Sequence, residues 1–392
     1  MKLLFVHDHF FCKEGDHFFS DKYPYTIWLR YLEFFDYLSV FSRYRIGCID
    51  SLKNSPSSGD NVKFIPAENI STLKSYLGLR TEQFAHLKNA ILESDAVVAR
   101  LPSEYGIAAV HLANQLGKPV MVEVVSCAWD SLWNNGSIKA KLYAPYLLWK
   151  MKKSVKLADF SLYVSNVYLQ QRYPTQGKSI GISDVALNDF SESILNRKLE
   201  FFKNNVDSYK IGLIGSFKTR YKGIDVAIKA IAELIKSDIK VTLHILGSGN
   251  IQPYQTLARQ LNVQDYIFFE GTLAPGAEVF SWLDEKDIYI QPSLVEGMPR
   301  AVLEAMSRAL PVVATNVGGL PEIIDDNFLA KPKSAKDLAN KISILINDNN
   351  LRRSQIIMNF KKSQDFSSEK LDLKRRGFFE VFSKEASKRS QL

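Results

Sequence analysis

Two glutamates, Glu296 and Glu304, stand eight residues apart in EGMPRAVLE, on either side of Pro299. Proline has a fixed φ and no N–H, which suits the first turn of a helix, so Glu296 is expected in a loop and Glu304 in the second turn of RAVLEAMSRA. The backbone N–H groups around Met298 to Ala301 would point out of the helix start, where the dipole favours an anion. A carboxylate pair beside an anion site suits a ligand that carries both negative charge and hydroxyls. Two glutamates at this spacing occur by chance on any helix, so their meaning depends on the elements around them.

Before the pair, IYIQPS is a short run of β-formers, and after it PVVAT is another. Asn316-Val317-Gly318-Gly319 follows, where glycines let backbone N–H groups approach a ligand. Neighbouring strands of a parallel sheet would bring a carboxylate pair and a glycine loop to one sheet edge, where open α/β sheets bind ligands. Val302, Leu303, Met306 and Leu310 give the intervening helix its core face.

Around these elements the order strand then helix repeats. YKIGLIGSF (209–217), KVTLHILGSG, IFFEG and the stretch above are separated by the helices GIDVAIKAIAELIK, 254–261 and 276–283. Such alternation means a parallel, doubly wound sheet. Upstream, LLFVH opens a first α/β domain, followed by an expected loop over 8–25 containing Glu14-Gly15-Asp16 and an amphipathic helix over 26–39. DAVVAR (95–100), PVMVEVV (119–125) and DFSLYVS (159–165) read as strands covered on both faces. They carry Arg100, Glu123 and Asn166 at their C-terminal ends.

The run EGMPRAVLE, continued by PVVATNVGGLPE, resembles the E-x7-E signature of the retaining, GT-B-fold glycosyltransferases of family 4. RLPSEYG, GKPVMVEVVSCAWDSLW and VSNVYLQQRYP are similar to N-terminal domains of its bacterial polysaccharide-building members. The likeness implies an α/β protein of two Rossmann-like doubly wound parallel-sheet domains facing across a cleft. Residues 1–188 form the acceptor-binding domain, 189–208 a linker, 209–369 the nucleotide-sugar-binding domain, and 370–392 a helix returning to the first domain. The implied reaction is retaining transfer of a sugar from a nucleotide diphospho-sugar to a hydroxyl of a saccharide or lipid-linked saccharide, in cell-surface polysaccharide or glycolipid synthesis. No D-x-D motif is present, so neither a bridging divalent metal nor another cofactor is expected.

By the same resemblance, Glu304 binds the ribose hydroxyls and Glu296 contacts the donor sugar. Gly297, Met298, Pro299 and Arg300 form the helix start that meets the phosphates. Lys222-Gly223 matches the family's phosphate-binding Lys-Gly, while Gly215-Ser216 carries serine where relatives have arginine, leaving Arg220 or Lys218 to supply the second cation. Gly247 and Gly249, and Gly15 after the first strand, complete the donor side. Relatives have a histidine in the region where this chain reads Val125-Ser126-Cys127. Glu123 or Asp130 is a candidate for part of that role, and Glu123 has the alternative of a strand-end carboxylate paired with Arg100. Arg100, Glu123, Asp130 and Asn166 are thus the acceptor-side candidates.

The helix over 137–157 interleaves Lys139, Lys141, Lys150, Lys152, Lys153 and Lys156 with Leu142, Tyr143, Tyr146, Leu147, Leu148 and Trp149. It is either a surface helix packed on the sheet or an interfacial helix that meets an anionic membrane. A net charge of +8 over 392 residues favours an anionic partner. The lysines are not gathered on an aromatic β-face, so nucleic acid is not expected. Cys12, Cys48 and Cys127 show no metal-ligand spacing and suggest no disulfide framework, which points to a cytoplasmic protein, peripheral at most to the membrane. A nucleotide-sugar epimerase of the same fold is the alternative enzyme, and a non-catalytic lipid- or nucleic-acid-binding protein the alternative class.

Overall fold

The computed structural model describes residues 1–47, 54–69, 79–134, 137–202 and 207–391. The chain divides into two compact units, one of 1–129 with 144–182 and 372–392, the other of 130–143 with 183–371.

The first unit is built on β1 (Lys2–Glu14), β2 (His17–Ser20), α1 (Leu29–Leu32), β3 (Tyr37–Ile46), β4 (Ser55–Pro56), β5 (Val62–Ala67), α2 (Leu79–Leu92), β6 (Ala96–Leu101), α3 (Glu104–Gln115) and β7 (Val120–Val124). Then come α4 (Ala128–Trp133) and α5 (Ile138–Leu157), of which residues 130–143 are assigned to the second unit, and β8 (Phe160–Tyr163), α6 (Tyr168–Arg172) and β9 (Lys178–Gly181). A parallel sheet runs β5-β3-β1-β6-β7-β8-β9, with β2 paired antiparallel to β1 and β4 paired antiparallel to β2. The apolar run of β1 buries Leu3, Leu4, Phe5 and Val6 completely, as a strand covered on both faces must.

Here the first expectations need correction. β1 continues through the stretch read as a loop, turning at Gly15-Asp16 into β2 so that Glu14 pairs with His17. Gly15 has a φ of +55° and nothing near its Cβ position, so it serves an exposed hairpin turn. The helix expected over 26–39 is reduced to a 3-10 turn over Tyr25–Ile27 and the single turn Leu29–Leu32, and from Tyr37 the β-branched and aromatic run YLSVFSRYRI forms β3 along β1.

The second unit contains α7 (Glu192–Phe201), β10 (Tyr209–Ile214), α8 (Ile224–Lys236), β11 (Val241–Leu246), α9 (Gln252–Gln260), β12 (Ile267–Phe269), α10 (Ala277–Asp284), β13 (Ile288–Gln291), α11 (Arg300–Ser307) and β14 (Val312–Thr315). β15 (Leu329–Ala330), α12 (Ala335–Asn347) and α13 (Asn349–Ser363) follow. All six strands are parallel in the order β12-β11-β10-β13-β14-β15. The winding direction reverses between β10 and β13, which opens a crevice at the strand C-termini there.

The stretch read as a linker is largely α7. Ser191 caps it by accepting from the Ser193 N–H, and Ile194 and Phe202 enter the core of the second unit. Lys198 is buried and donates to the carbonyls of Asp284 and Lys286 at 2.7 and 2.5 Å, and burial pushes its pKa down to about 8. An amphipathic ten-residue segment with one buried cation has too weak a pattern to read as helix from sequence; residues 203–206 lie outside the described set.

α14 (Ser368–Ser390) ends the chain, and from Asp372 onward it belongs to the first unit. Phe379 meets Tyr31 and Phe34, Phe382 meets Phe35 and Phe160, and Arg389 pairs with Asp159 at 2.7 Å. Cys127 is a buried free thiol, whereas Cys12 is disulfide-bonded. That bridge corrects the reading of the cysteines, since distance along a chain does not limit distance in the fold; Cys48 lies outside the described residues.

Candidate active site

A cavity of about 440 Å³ lies at the C-terminal ends of β10, β11 and β13, where the winding reverses. Gly215 and Ser216 follow β10, Gly247 and Ser248 follow β11, and Gln291 ends β13. Lys222, Glu296, Arg300 and Glu304 complete the polar part of the lining, with Met298 and Pro299 between them in sequence. Ile214, Leu246, Leu273, Val279 and Ala301, with Thr272, form an apolar side.

The sequence puts Lys222 against Glu296 through the backbone. Gly223 has a φ of +67°, and a Cβ there would lie 1.9 Å from the Pro292 carbonyl oxygen, so only glycine lets the turn before α8 press on the loop after β13. The Leu294 N–H donates to the Tyr221 carbonyl at 2.6 Å across the same seam. From this turn Lys222 Nζ donates to Glu296 Oε1 at 2.8 Å. Gly318 supports the loop from the other side: its φ is +58°, and a Cβ would meet the Glu296 carbonyl oxygen at 1.9 Å. The 316–319 loop therefore braces Glu296 and does not line the cavity, a correction to its reading as a ligand-facing loop.

Glu296 is nearly buried, and its Oε1 also accepts from Gln291 Nε2 at 3.0 Å and Ser293 Oγ at 2.6 Å. Glu304 lies on α11, with Arg300 Nη1 3.9 Å from its Oε1. Burial raises the Glu304 pKa, with Arg300 acting the other way. Pro299 is the residue preceding the first turn, one position earlier than expected, and supplies no side-chain cap. The leading N–H groups of α11 thus retain their anion-binding capacity at the cavity wall.

Of the donor-side residues expected from sequence, Gly215, Ser216, Lys222, Gly247, Glu296, Met298, Pro299, Arg300 and Glu304 line this one cavity. Gly223, Gly249 and Gly297 shape it from behind: a Cβ on Gly249 would lie 2.9 Å from the Lys218 nitrogen, and the Gly297 carbonyl accepts from the Gly319 N–H at 3.0 Å. Arg220 is exposed in the short turn before α8 and does not line the cavity, nor does Lys218. Among the described residues the lining cations are Lys222 and Arg300. Gly15 lies in the hairpin turn of the first unit.

The acceptor-side candidates do not form a comparable constellation. Arg100 and Glu123 are paired at 2.6 Å, and Glu123 also accepts from Tyr31 Oη at 2.7 Å and faces Arg30 at 3.7 Å. With 2% exposure, Glu123 is the strand-end carboxylate of the structural alternative. Asp130 is half-buried in the first turn of α4 and Asn166 is exposed after β8. Sequence reasoning missed Thr272, Leu273 and Val279, whose types resemble core, and Gln291, which reads as a strand residue.

Residues 208–348 match the family described as Glycosyl transferases group 1. Protein CapJ of Staphylococcus aureus is 33% identical over 379 residues, which cover 96% of this chain and 94% of CapJ. The putative colanic acid biosynthesis glycosyltransferase WcaL of Escherichia coli is 32% identical over 135 residues, 32% of this chain and 33% of that protein. Among solved structures, HepE of Anabaena in complex with UDP superposes with a TM-score of 0.64 at 18% identity, over 95% of this chain and 98% of that one.

Proposed function

Because the chain belongs to the group 1 glycosyl transferases, GT-B in fold and of the family 4 type, we propose that the cavity of the second unit binds a nucleotide diphospho-sugar. The sugar then passes to a hydroxyl of a saccharide or lipid-linked saccharide in bacterial polysaccharide synthesis. The observation that carries this reading is the convergence of Lys222, Arg300, the α11 start and two carboxylates on one cavity with an apolar side. The cations and N–H groups suit a diphosphate, the carboxylates suit ribose and sugar hydroxyls, and the apolar side suits a base.

The leaving group is a nucleoside diphosphate, so stabilising its developing charge is the chief catalytic task. Lys222 and the α11 N–H groups supply that without a metal. Glu304 is assigned to the ribose and Glu296 to the sugar. In a retaining reaction the acceptor oxygen attacks the anomeric carbon on the face the phosphate leaves, and its proton passes to the departing phosphate oxygen. The test is the product's anomeric configuration by NMR in EDTA: retention at an undiminished rate is expected, and inversion or a magnesium requirement would refute the mechanism.

The membrane reading attaches to α5. Ile138, Leu142, Tyr146 and Trp149 follow one another at helical spacing and are 76, 78, 48 and 58% exposed, beside Lys139, Lys141, Lys150 and Lys153. The proposed role is peripheral attachment of a cytoplasmic enzyme to anionic lipid. Lys139→Glu with Lys141→Glu and Lys153→Glu should abolish sedimentation with anionic vesicles and leave transfer to a soluble acceptor unchanged; unaltered sedimentation would return α5 to an ordinary surface helix.

A further inference from the structure

A directed chain of hydrogen bonds runs under the cavity and ends on one oxygen of Glu296. The Ile214 N–H, at the end of β10, donates to Tyr289 Oη at 3.2 Å, and Tyr289 Oη donates to Gln291 Oε1 at 2.8 Å. That contact fixes the amide with Nε2 toward Ser293 Oγ and Glu296 Oε1, at 2.8 and 3.0 Å. Ser293 Oγ in turn donates to Glu296 Oε1 at 2.6 Å. Tyr289 is completely buried, and burial, with Glu296 and Glu304 nearby, holds its hydroxyl protonated far beyond neutral pH. The Thr315 hydroxyl, donating to the carbonyls of Gln291 and Ser293, fixes the backbone that carries the chain.

Glu296 Oε1 therefore receives three donors, from Lys222, Gln291 and Ser293, while Oε2 takes no hydrogen bond from the described residues. Two of those donors, Gln291 and Ser293, are buried. The third, Lys222, stands on a turn and is 23% exposed. Charges along the wall also balance: Lys222 and Arg300 contribute two positive charges, Glu296 and Glu304 two negative, each cation facing one carboxylate at 2.8 and 3.9 Å. Among the described residues, Lys222 is the lining cation that a carboxylate holds in a hydrogen bond, so a diphosphate entering this cavity competes with Glu296 for it.

We propose that the Lys222–Glu296 pair is a latch that the donor diphosphate opens, and that Gln291 and Ser293 are positioning residues which hold Glu296 oriented once Lys222 has left it. Lys222 transfers to the phosphate oxygens. Glu296 keeps two donors on Oε1, and Oε2 stays turned to the cavity for a sugar hydroxyl. The pair thus taxes the binding of any diphosphate, while the Gln291–Ser293 arm ensures that the catalytic geometry survives the exchange.

This rests on the donor-site reading of the cavity, and one set of titrations separates the two. UDP, GDP and the corresponding nucleosides are titrated calorimetrically into the full chain and into Glu296→Gln, with Glu296→Ala as a second variant and melting curves to confirm folding. Removing the carboxylate frees Lys222, so the better-bound diphosphate should bind Glu296→Gln about five- to tenfold more tightly, while the matching nucleoside is unaffected. Equal or weaker diphosphate binding to both folded variants overturns the latch alone, whereas failure of both diphosphates to bind the native chain overturns the donor site with it. For the positioning arm, Ser293→Ala should lower kcat about tenfold with the donor KM within twofold, and Ser293→Thr, which keeps the hydroxyl, should restore most of it. A Ser293→Ala variant whose loss lies wholly in KM, or which Thr does not rescue, contradicts the positioning role.

Discussion

The strand C-termini of the two units carry similar side chains put to opposite uses. In the second unit Glu296 and Glu304 face a cavity, one with an oxygen that accepts nothing from the described residues and the other raised in pKa by burial, with a cation 3.9 Å away. In the first unit, Glu123 is closed in by Arg100, Tyr31 and Arg30. Asp8 likewise accepts from the Glu104 and Tyr105 N–H groups at the start of α3, filling the position an external anion would take. A carboxylate at a strand end is available for chemistry only when its neighbours leave part of its hydrogen-bonding capacity unspent.

That contrast has a stability signature. Glu123→Ala would break the Arg100–Glu123 ion pair, whose carboxylate is 2% exposed, a loss that costs about 3 kcal/mol or more. Urea unfolding should show that loss at neutral pH, and a variant as stable as the native chain would mean that Glu123 is not the structural residue described.

In the cavity the signature is kinetic. Lys222→Ala should lower turnover by about two orders of magnitude, the loss of one strong charge-stabilising contact, with little change in melting temperature. Arg220→Ala should stay within about twofold, since Arg220 is exposed and away from the lining. Steady-state rates that reverse this ranking would move the phosphate site to Arg220.

Glu304→Gln sharpens the comparison in the other direction. The folded pKa of Glu304 is raised by burial, so its ionised form opposes folding above that pKa, and the opposition disappears as pH falls below the ordinary carboxylate value. The amide should therefore raise the melting temperature at pH 7 by a few degrees, with the gain vanishing near pH 4, while weakening nucleoside diphosphate binding. A melting temperature lowered at pH 7 would place Glu304 among the structural carboxylates.

How much of this was legible in the sequence follows from the same distinction. EGMPRAVLE and Lys222-Gly223 were readable because loop, helix start and glycine sit at fixed offsets along a short stretch. The position of Arg220 outside the cavity lining was not, because the path of a loop decides where a side chain ends, and spacing alone does not show it. Thr272, Leu273 and Val279 were invisible, since an apolar wall of a cavity and a core have the same composition. The β1–β2 hairpin could have been found: HFFCKEGDHFF has apolar residues on both sides of a glycine turn. The open or closed state of Glu123 depends on Tyr31, ninety-two positions away, a relation no local pattern carries.

The central claim is that the second unit's cavity, read through Glu304, is where the donor nucleotide binds. A thermal-shift series of nucleotide diphospho-sugars against the native chain and Glu304→Ala tests it most directly. A ligand at 100 times its dissociation constant should add about 2.7 kcal/mol to the native chain, and that gain should be absent from Glu304→Ala at the same concentration. A shift of equal size in both proteins would place the donor elsewhere.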